Sequence, residues 1–359
     1  MNNKNLHDAK IAKNDEFYTQ YLDIQKEIDA YLEYNPNVFR DKTILLPCDD
    51  PEWSNFTKFF VDNFEKLGLR KLISTCYAKK CCQIDLFEDC CYSQNKSHGK
   101  ILIIDGKENL DSLKWQYLNG DGDFRSSEIK ALRDESDFII TNPPFSLFRE
   151  FVSWIFETDK KFLIIGNMNA ITYKQVFPLI KDNKMWYGVS ISSGDRRFNV
   201  PDSYPLNASG CGIDENNQKY IQVKGVRWFT NIDHGRRHKP LSLLTMNDNL
   251  RFNKKLQKPK YQSKYKKYDN YDAIEVPLTE AIPSDYEGIM GVPISFLDKY
   301  CPEQFEILGI TQRNDDPYKI KKYTTNEYKN ANDLNARATI LNNGIPRSLF
   351  SRILIKKIK

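Results

Sequence analysis

Between Thr43 and Ile180 the chain alternates short apolar runs with segments whose large apolar residues recur at helical spacing, and few folds accommodate that pattern. The runs are Thr43-Ile44-Leu45-Leu46, Leu72-Ile73-Ser74-Thr75-Cys76, Ile101-Leu102-Ile103-Ile104, Phe138-Ile139-Ile140-Thr141 and Phe162-Leu163-Ile164-Ile165. Each has the length and continuity of a strand buried on both faces. Between them, Phe56, Phe59, Phe60, Phe64 and Leu67 mark a helix that Gly68 stops, and a second helix is expected from Leu147 to Phe156. A third is expected near Tyr173 to Ile180, and Ser126 or Ser127 is placed to cap a short one through Arg133. Repeated strand-helix units predict an α/β fold with a mostly parallel sheet covered by helices on both faces.

The stretch from Tyr77 to Leu118 is less regular and reads as an insertion carrying its own hairpin. Residues 1–40 read as an N-terminal arm with an amphipathic helix (Leu22, Ile24, Ile28, Leu32), and 41–235 as the main domain. Residues 236–359 read as a second, mixed region whose Asn342-Asn343-Gly344 is a hairpin-type turn. Candidate strands there and just before are Val223 to Thr230 and Ala338 to Leu341, and Val292 to Leu297 and Ile307 to Ile310 are apolar enough to be core.

No apolar run approaches the roughly 20 residues of a spanning helix, and the polar start Met1-Asn2-Asn3-Lys4-Asn5 lacks a signal core, so a soluble cytoplasmic protein is expected. Eight cysteines fit free thiols in a reducing compartment; Cys81-Cys82 and Cys90-Cys91 lack the spacing of a zinc site, and no metal is expected.

Ligands of open α/β sheets bind beyond the carboxyl ends of the strands. Three polar clusters stand at such places: Cys48-Asp49-Asp50-Pro51, Gly120-Asp121-Gly122-Asp123-Phe124 and Asn142-Pro143-Pro144-Phe145. In the last, the Asn142 side-chain oxygen and a loop carbonyl can accept both hydrogens of an exocyclic amine. Pro143 and Pro144 stiffen the loop, and Phe145 offers a surface on which a flat base can stack. An ordinary strand-ending turn uses the same residue types. Asp123-Phe124 supplies an acceptor and an aromatic for an adenine. Asp49 and Asp50 can hold a sugar or an amino-acid group, or cap the next helix. Gly120 to Asp123 is too short for a calcium loop.

Charge is unevenly spread. From Arg236 to Lys267 there are eleven Lys or Arg against the single acid Asp248, interleaved with Tyr261, Tyr265 and Tyr268. Such a stretch suits a phosphate backbone, with Arg236, Arg237, His238, Lys239, Lys264 and Lys266 as the candidates; a solvated loop is the plainer alternative.

Taken together, Asp15-Glu16-Phe17-Tyr18-Thr19-Gln20, Cys48-Asp49-Asp50-Pro51 with Ser54-Asn55-Phe56, Gly120 to Arg125 and Thr141 to Glu150 resemble the EcoRI-type adenine-specific (N6) DNA methyltransferases. The likeness continues through Gly166-Asn167-Met168-Asn169 and Gly291-Val292-Pro293 and covers most of the chain. It implies a Rossmann-like S-adenosylmethionine-dependent methyltransferase sheet with a C-terminal target-recognition region, S-adenosylmethionine as cofactor, and double-stranded DNA as partner. It also implies a flipped adenine as acceptor and a place in a restriction-modification system, with a monomer favoured.

Carried over by position, Asn142 and the Pro143 carbonyl hold N6 and Phe145 stacks on the base. Asp123 and Phe124 contact the cofactor adenine, Tyr18 and Thr19 close over its methionine end, and Asp49 or Asp50 lies beside it. The chain departs from the wider methyltransferase pattern in replacing the glycine-rich loop with Pro47 to Pro51, and in ending the second strand in Ser74-Thr75-Cys76 without an acid for the ribose. Cytosine-N4 transfer, protein-glutamine N-methylation and a non-catalytic nucleic-acid-binding scaffold are the rival readings. The basic tyrosine-containing region argues against the protein substrate, and Asn142 argues against cytosine N4.

Overall fold

All residues of β1 (Thr43–Leu46) and β5 (Phe138–Thr141) are buried, as a strand covered on both faces requires. They lie at the centre of the larger sheet in the computed structural model, which describes residues 19–78, 98–106, 114–192, 195–200, 206, 210–215, 217–258, 264–312 and 316–358. The chain divides into two units: one comprises residues up to Val176 together with Met185–His234, the other Phe177–Lys184 together with Gly235–Lys359.

In the first unit eight strands form one sheet: β1, β2 (Lys71–Cys76), β3 (Lys100–Ile104), β4 (Gln116–Tyr117), β5, β6 (Lys161–Asn167), β7 (Trp186–Tyr187) and β11 (Val226–Thr230). The order across it is β4-β3-β2-β1-β5-β6-β11-β7. β8 (Asp195–Asn199), β9 (Gly212–Ile213) and β10 (Lys219–Lys224) form a separate three-stranded sheet. Parallel pairing is confined to β2, β1, β5 and β6; β3, β4, β11 and β7 pair antiparallel, so the sheet is mixed, not mostly parallel. β3 and β4 pair antiparallel with each other, as expected of the insertion's hairpin, and join this sheet through β2; Cys81, Cys82, Cys90 and Cys91 lie outside the described residues.

One face of the sheet (Ile44, Leu46, Leu72, Ile140, Leu163, Trp228) packs against α1 (Tyr21–Tyr34) and α2 (Asn55–Asp62) through Ile24, Ile28, Tyr31, Phe56 and Phe60. Leu22, expected on the apolar stripe of α1, is 63% exposed, and Glu27 is buried in the stripe instead. Its carboxylate accepts from Val189 N (2.8 Å), Ser190 N (2.6 Å) and the Tyr31 hydroxyl (2.8 Å), which satisfies a loop that side-chain periodicity does not reveal.

The other face is covered by α3 (Ser127–Glu135), capped by Ser126, and α4 (Phe148–Ile155). Phe148 meets Phe229 at 5.2 Å between ring centres and Phe156 meets Phe162 at 5.5 Å. Buried Arg133 joins the two helices by donating to the Trp154 carbonyl and to Glu157, each at 2.7 Å.

The second unit holds α5 (Phe177–Lys181), α6 (Met246–Phe252), α7 (Ala331–Ala336) and a five-stranded sheet ordered β12-β13-β14-β18-β15. Its strands are β12 (Lys266–Lys267), β13 (Ile274–Glu275), β14 (Met290–Pro293), β15 (Phe305–Ile310) and β18 (Arg352–Lys357). β16 (Thr339–Asn342) and β17 (Ile345–Ser348) pair only with each other. The single helix expected from Tyr173 to Ile180 is instead a 3-10 turn, Met168–Thr172, and α5 in the other unit. Among the described residues no helix is long and apolar enough to cross a membrane.

Candidate active site

Asp49 leaves β1 at its carboxyl end and is only 5% exposed. Its Oδ1 accepts from Ser54 Oγ and its Oδ2 from Thr141 Oγ1, both at 2.6 Å. Its backbone N–H donates to the Thr75 carbonyl (2.9 Å) and its carbonyl accepts from Ser74 Oγ (2.7 Å). One residue thereby ties the ends of β1, β2 and β5 to the start of α2. Burial pushes the carboxyl up to about 7, against the pull of the Ser54 and Thr141 hydrogen bonds and with a further push from Asp50. The helix cap is Ser54, whose Oγ accepts from Phe56 N at 3.0 Å, and not either aspartate.

Asp50 is the half-exposed member of the pair. Its Oδ1 accepts from Glu52 N (2.8 Å), and its Oδ2 faces the Cys76 thiol (3.5 Å) and Lys100 Nζ (3.7 Å). Burial and then the Asp50 charge push the Cys76 thiol up to about 12, which leaves it inert as a nucleophile.

The Gly120 to Asp123 loop lies directly on this strand end. A Cβ at Gly122, whose φ is +79°, would overlap the Cys76 carbonyl oxygen, so only glycine permits the approach. The loop is fastened by Gly120 N to Glu128 (2.9 Å) and by Asp121 O accepting from Ala78 N (2.8 Å). Asp123 is engaged at two points by Arg125, from Nε at 2.9 Å and Nη2 at 2.6 Å, and Arg125 also reaches Glu150 at 3.1 Å. Phe124 is buried edge-on to Phe151 (5.1 Å) and Trp154 (5.6 Å). A cavity of about 390 Å³ opens beside it, lined also by Arg125, Ser146, Arg149 and Trp154.

Asn142 to Phe145 follow β5 without a break. Asn142 is half-buried with its side-chain oxygen buried, Pro143 is buried, and Phe145 is half-buried against the main core. Phe145 opens a short 3-10 turn, Phe145–Leu147, held by Leu147 N to the Pro144 carbonyl at 2.9 Å, and α4 follows at once. The segment is thus a rigid strand-turn-helix corner. Because Thr141 is bonded to Asp49, that corner stands beside the β1 loop.

The structure brings together Thr19, Asp49, Asp50, Asp123, Phe124 and Asn142. Thr19 joins through its carbonyl, which accepts from Asn55 Nδ2 (2.8 Å) at the start of α2; Tyr18 lies outside the described residues. Sequence reading did not single out Ser54 and Thr141 as the anchors of Asp49, Arg125 as the partner of Asp123, or Lys100, although the polar residues flanking each motif were the available signal. Among the described residues no group of three or more His, Cys, Asp or Glu side chains is arranged to hold a metal ion.

In the second unit the candidate cations divide. Lys239 and Lys264 are exposed and Arg236 is half-exposed, whereas Arg237 is only 7% exposed and donates to Asn183 Oδ1. His238 Nδ1 is 2.7 Å from Glu303, and Lys266 Nζ donates to Asn342 Oδ1 at 3.4 Å. Tyr265 is half-buried with its hydroxyl donating to the Ala281 carbonyl (2.6 Å), and Tyr268 is buried; Tyr261 lies outside the described residues. Residues 235–359 carry 23 Lys and Arg against 14 Asp and Glu, while the first 234 residues carry 30 against 34.

Comparison with known proteins identifies the family of the chain. The family model described as adenine-specific methyltransferase EcoRI matches residues 5–358. The chain is 46% identical over 313 residues to the Type II methyltransferase M.EcoRI of Escherichia coli, covering 85% of this chain and 89% of that protein. It is 36% identical over 305 residues to the Type II methyltransferase M.MpnI of Mycoplasma pneumoniae, covering 84% and 83%. With M.MgeORF184P of Mycoplasma genitalium it is 33% identical over 352 residues, 97% of each chain. No solved structure matches the chain.

Proposed function

The chain belongs to the EcoRI family of adenine-specific methyltransferases, and from that premise we propose that it transfers a methyl group from S-adenosylmethionine to N6 of an adenine extruded from duplex DNA. The observation that carries the reading is the hydrogen bond between Thr141 and Asp49, which seats an amine-accepting loop beside the β1 end of the sheet. The reading of the first unit as Rossmann-like is supported by the parallel strands β2-β1-β5-β6, with helices on both faces and chain reversal between β1 and β5.

The strand-end residues fit the cofactor. Among the described residues Thr19 Oγ1 and Thr75 Oγ1 are buried side-chain atoms without a hydrogen-bond partner, and the Gly122 backbone is bare where it meets β2. Thr19 and half-exposed Asp50 would hold the polar end of S-adenosylmethionine, and Asp123 and Phe124 its adenine. Asp49, with both oxygens engaged internally, serves as the anchor between the two loops. When bound, the cofactor supplies an electrophilic methyl group.

The N6 lone pair is delocalised into the adenine ring, and that weakens it as a nucleophile. Asn142 Oδ1 and the Pro143 carbonyl would accept the two N6 hydrogens and favour tetrahedral geometry as charge develops, an oriented-dipole contribution that needs no strong general base. Phe145 would stack on the flipped base and offset part of the few kcal/mol that unstacking costs, on the order usual for base flipping. The second unit, with its excess of cations, would dock on the phosphate backbone and give binding a steep salt dependence. A place beside a cognate nuclease in a restriction-modification system is in keeping with relatives named Type II methyltransferases.

Incubation with labelled S-adenosylmethionine and duplex DNA, followed by nucleoside analysis, tests the reading: the label is expected in N6-methyl-2′-deoxyadenosine. Label in N4-methylcytosine, in protein glutamine or in nothing would overturn it.

A further inference from the structure

The ribbon of β16 and β17 stands outside the five-stranded sheet of its unit. Its register sets Ile340 opposite Arg347 and Asn342 opposite Ile345. Asn343 and Gly344 close it with φ of 51° and 81°, a two-residue turn whose twist matches that of a hairpin. Two strands alone are not stable in water, and the ribbon is held at its root. Thr339 N donates to Asn270 Oδ1 (2.8 Å), Thr339 Oγ1 to the Leu334 carbonyl (3.1 Å), and Leu349 N to the Ala338 carbonyl (2.9 Å).

Directly paired residues of an antiparallel ribbon share a face. On one face Thr339 and Pro346 are buried, and Leu341, opposite Pro346, is 45% exposed. On the other, Ile340 is half-buried, Arg347 directly opposite it is exposed, and further out Ile345 is 70% exposed. Asn342 completes this face, with Lys266 Nζ at its Oδ1. An arginine, an asparagine and a bare isoleucine therefore share one solvent-facing surface of a narrow element, in the unit that holds the chain's excess of positive charge.

Resting on the reading of duplex DNA as substrate, we propose that this ribbon enters the major groove and that Asn342 and Arg347 read base edges there. The groove, about 12 Å wide, admits a two-stranded ribbon. Arginine matches the O6 and N7 acceptors of guanine at two points, asparagine matches N6 and N7 of adenine, and an apolar side chain suits the methyl group of thymine. A backbone-only contact needs cations but no asparagine and no exposed isoleucine, so the composition of the face favours base readout.

The test compares wild type with Arg347→Gln and Asn342→Ala, by mapping methylated positions in exposed DNA and by kcat/KM on duplexes altered one base pair at a time. Neither substitution removes a buried side chain, and thermal melting checks that the fold is kept. Each variant is expected to lose kcat/KM at the preferred sequence by roughly tenfold to a hundredfold and to tolerate a changed base pair at one position, a different one for each variant. Unchanged sequence choice and rate in both variants would overturn the proposal, as would an equal loss on every sequence, which marks phosphate contacts alone. A wild type that binds duplex DNA without methylating it would overturn the enzymatic reading instead, and the variants' binding selectivity would then decide the ribbon's role.

Discussion

Thr141 and Asp49 stand 92 residues apart in the chain and meet through a 2.6 Å hydrogen bond in the buried interior. Thr141→Val keeps the shape of the side chain and leaves Asp49 Oδ2 buried without that donor. A loss of about 1–3 kcal/mol in stability is expected from the unsatisfied oxygen. Because Asn142 is the next residue, single-turnover methyl transfer by the folded enzyme is expected to slow as well. An unchanged rate beside a lowered melting temperature would make the bond structural only.

The Asp49 carboxyl carries a pH signature. Unfolded it ionises near 4, whereas burial holds the folded group at about 7, so the folded state binds the extra proton between those values. The stability this proton confers is complete below about pH 4 and is lost as pH rises to about 7, on the order of 4 kcal/mol in all. Asp49→Asn mimics the protonated group, accepting from Ser54 and donating to Thr141. Its stability relative to wild type is expected to improve steadily from pH 4 to 8, and denaturant titrations at several pH values read the difference directly.

Asn142→Ala removes the side-chain acceptor from the corner after β5. Turnover is expected to fall by at least a hundredfold, in line with the loss of one oriented dipole at a transition state, while duplex binding measured by anisotropy stays within about threefold. Equal turnover in mutant and wild type would remove Asn142 from the site.

The cations of the second unit separate by burial. Arg237→Ala is expected to lower stability, because its guanidinium is buried against Asn183. Lys239→Glu and Lys264→Glu, both at exposed positions, are expected to leave stability within about 0.5 kcal/mol and to weaken DNA binding. The salt slope of log K should flatten by about 0.9 for each phosphate that the variant no longer neutralises.

Gly122→Ala would set a methyl group against the Cys76 carbonyl at a left-handed φ. Displacement of the Asp123-Phe124 loop is expected to raise KM for S-adenosylmethionine more than it lowers kcat. The reverse pattern would place the loop away from the cofactor.

The continuous apolar runs mark β1, β5 and β6, and the polar clusters after β1 and β5 mark the candidate site, because both signals are local. The hairpin at Asn343-Gly344 was legible for the same reason, since positive φ selects its residues. What escaped depends on partners distant in the chain. Nothing near Asp123 says that Arg125 also reaches Glu150, and nothing near Glu27 announces the amides at Val189 and Ser190. The basic run from Arg236 gave the sign of the surface but not its members, because Arg237 turns inward to a residue from another stretch of the chain.

The short segment Phe177–Lys184 belongs with the C-terminal unit although the chain returns afterwards to the first. Its helix α5 buries Phe177 and Ile180 and packs on β15. A graft of C-terminal regions between relatives that cuts only after His234 would leave this octapeptide behind, exposing an apolar seam on β15. Chimeras that carry 177–184 along with the C-terminal block are the ones whose second unit arrives whole.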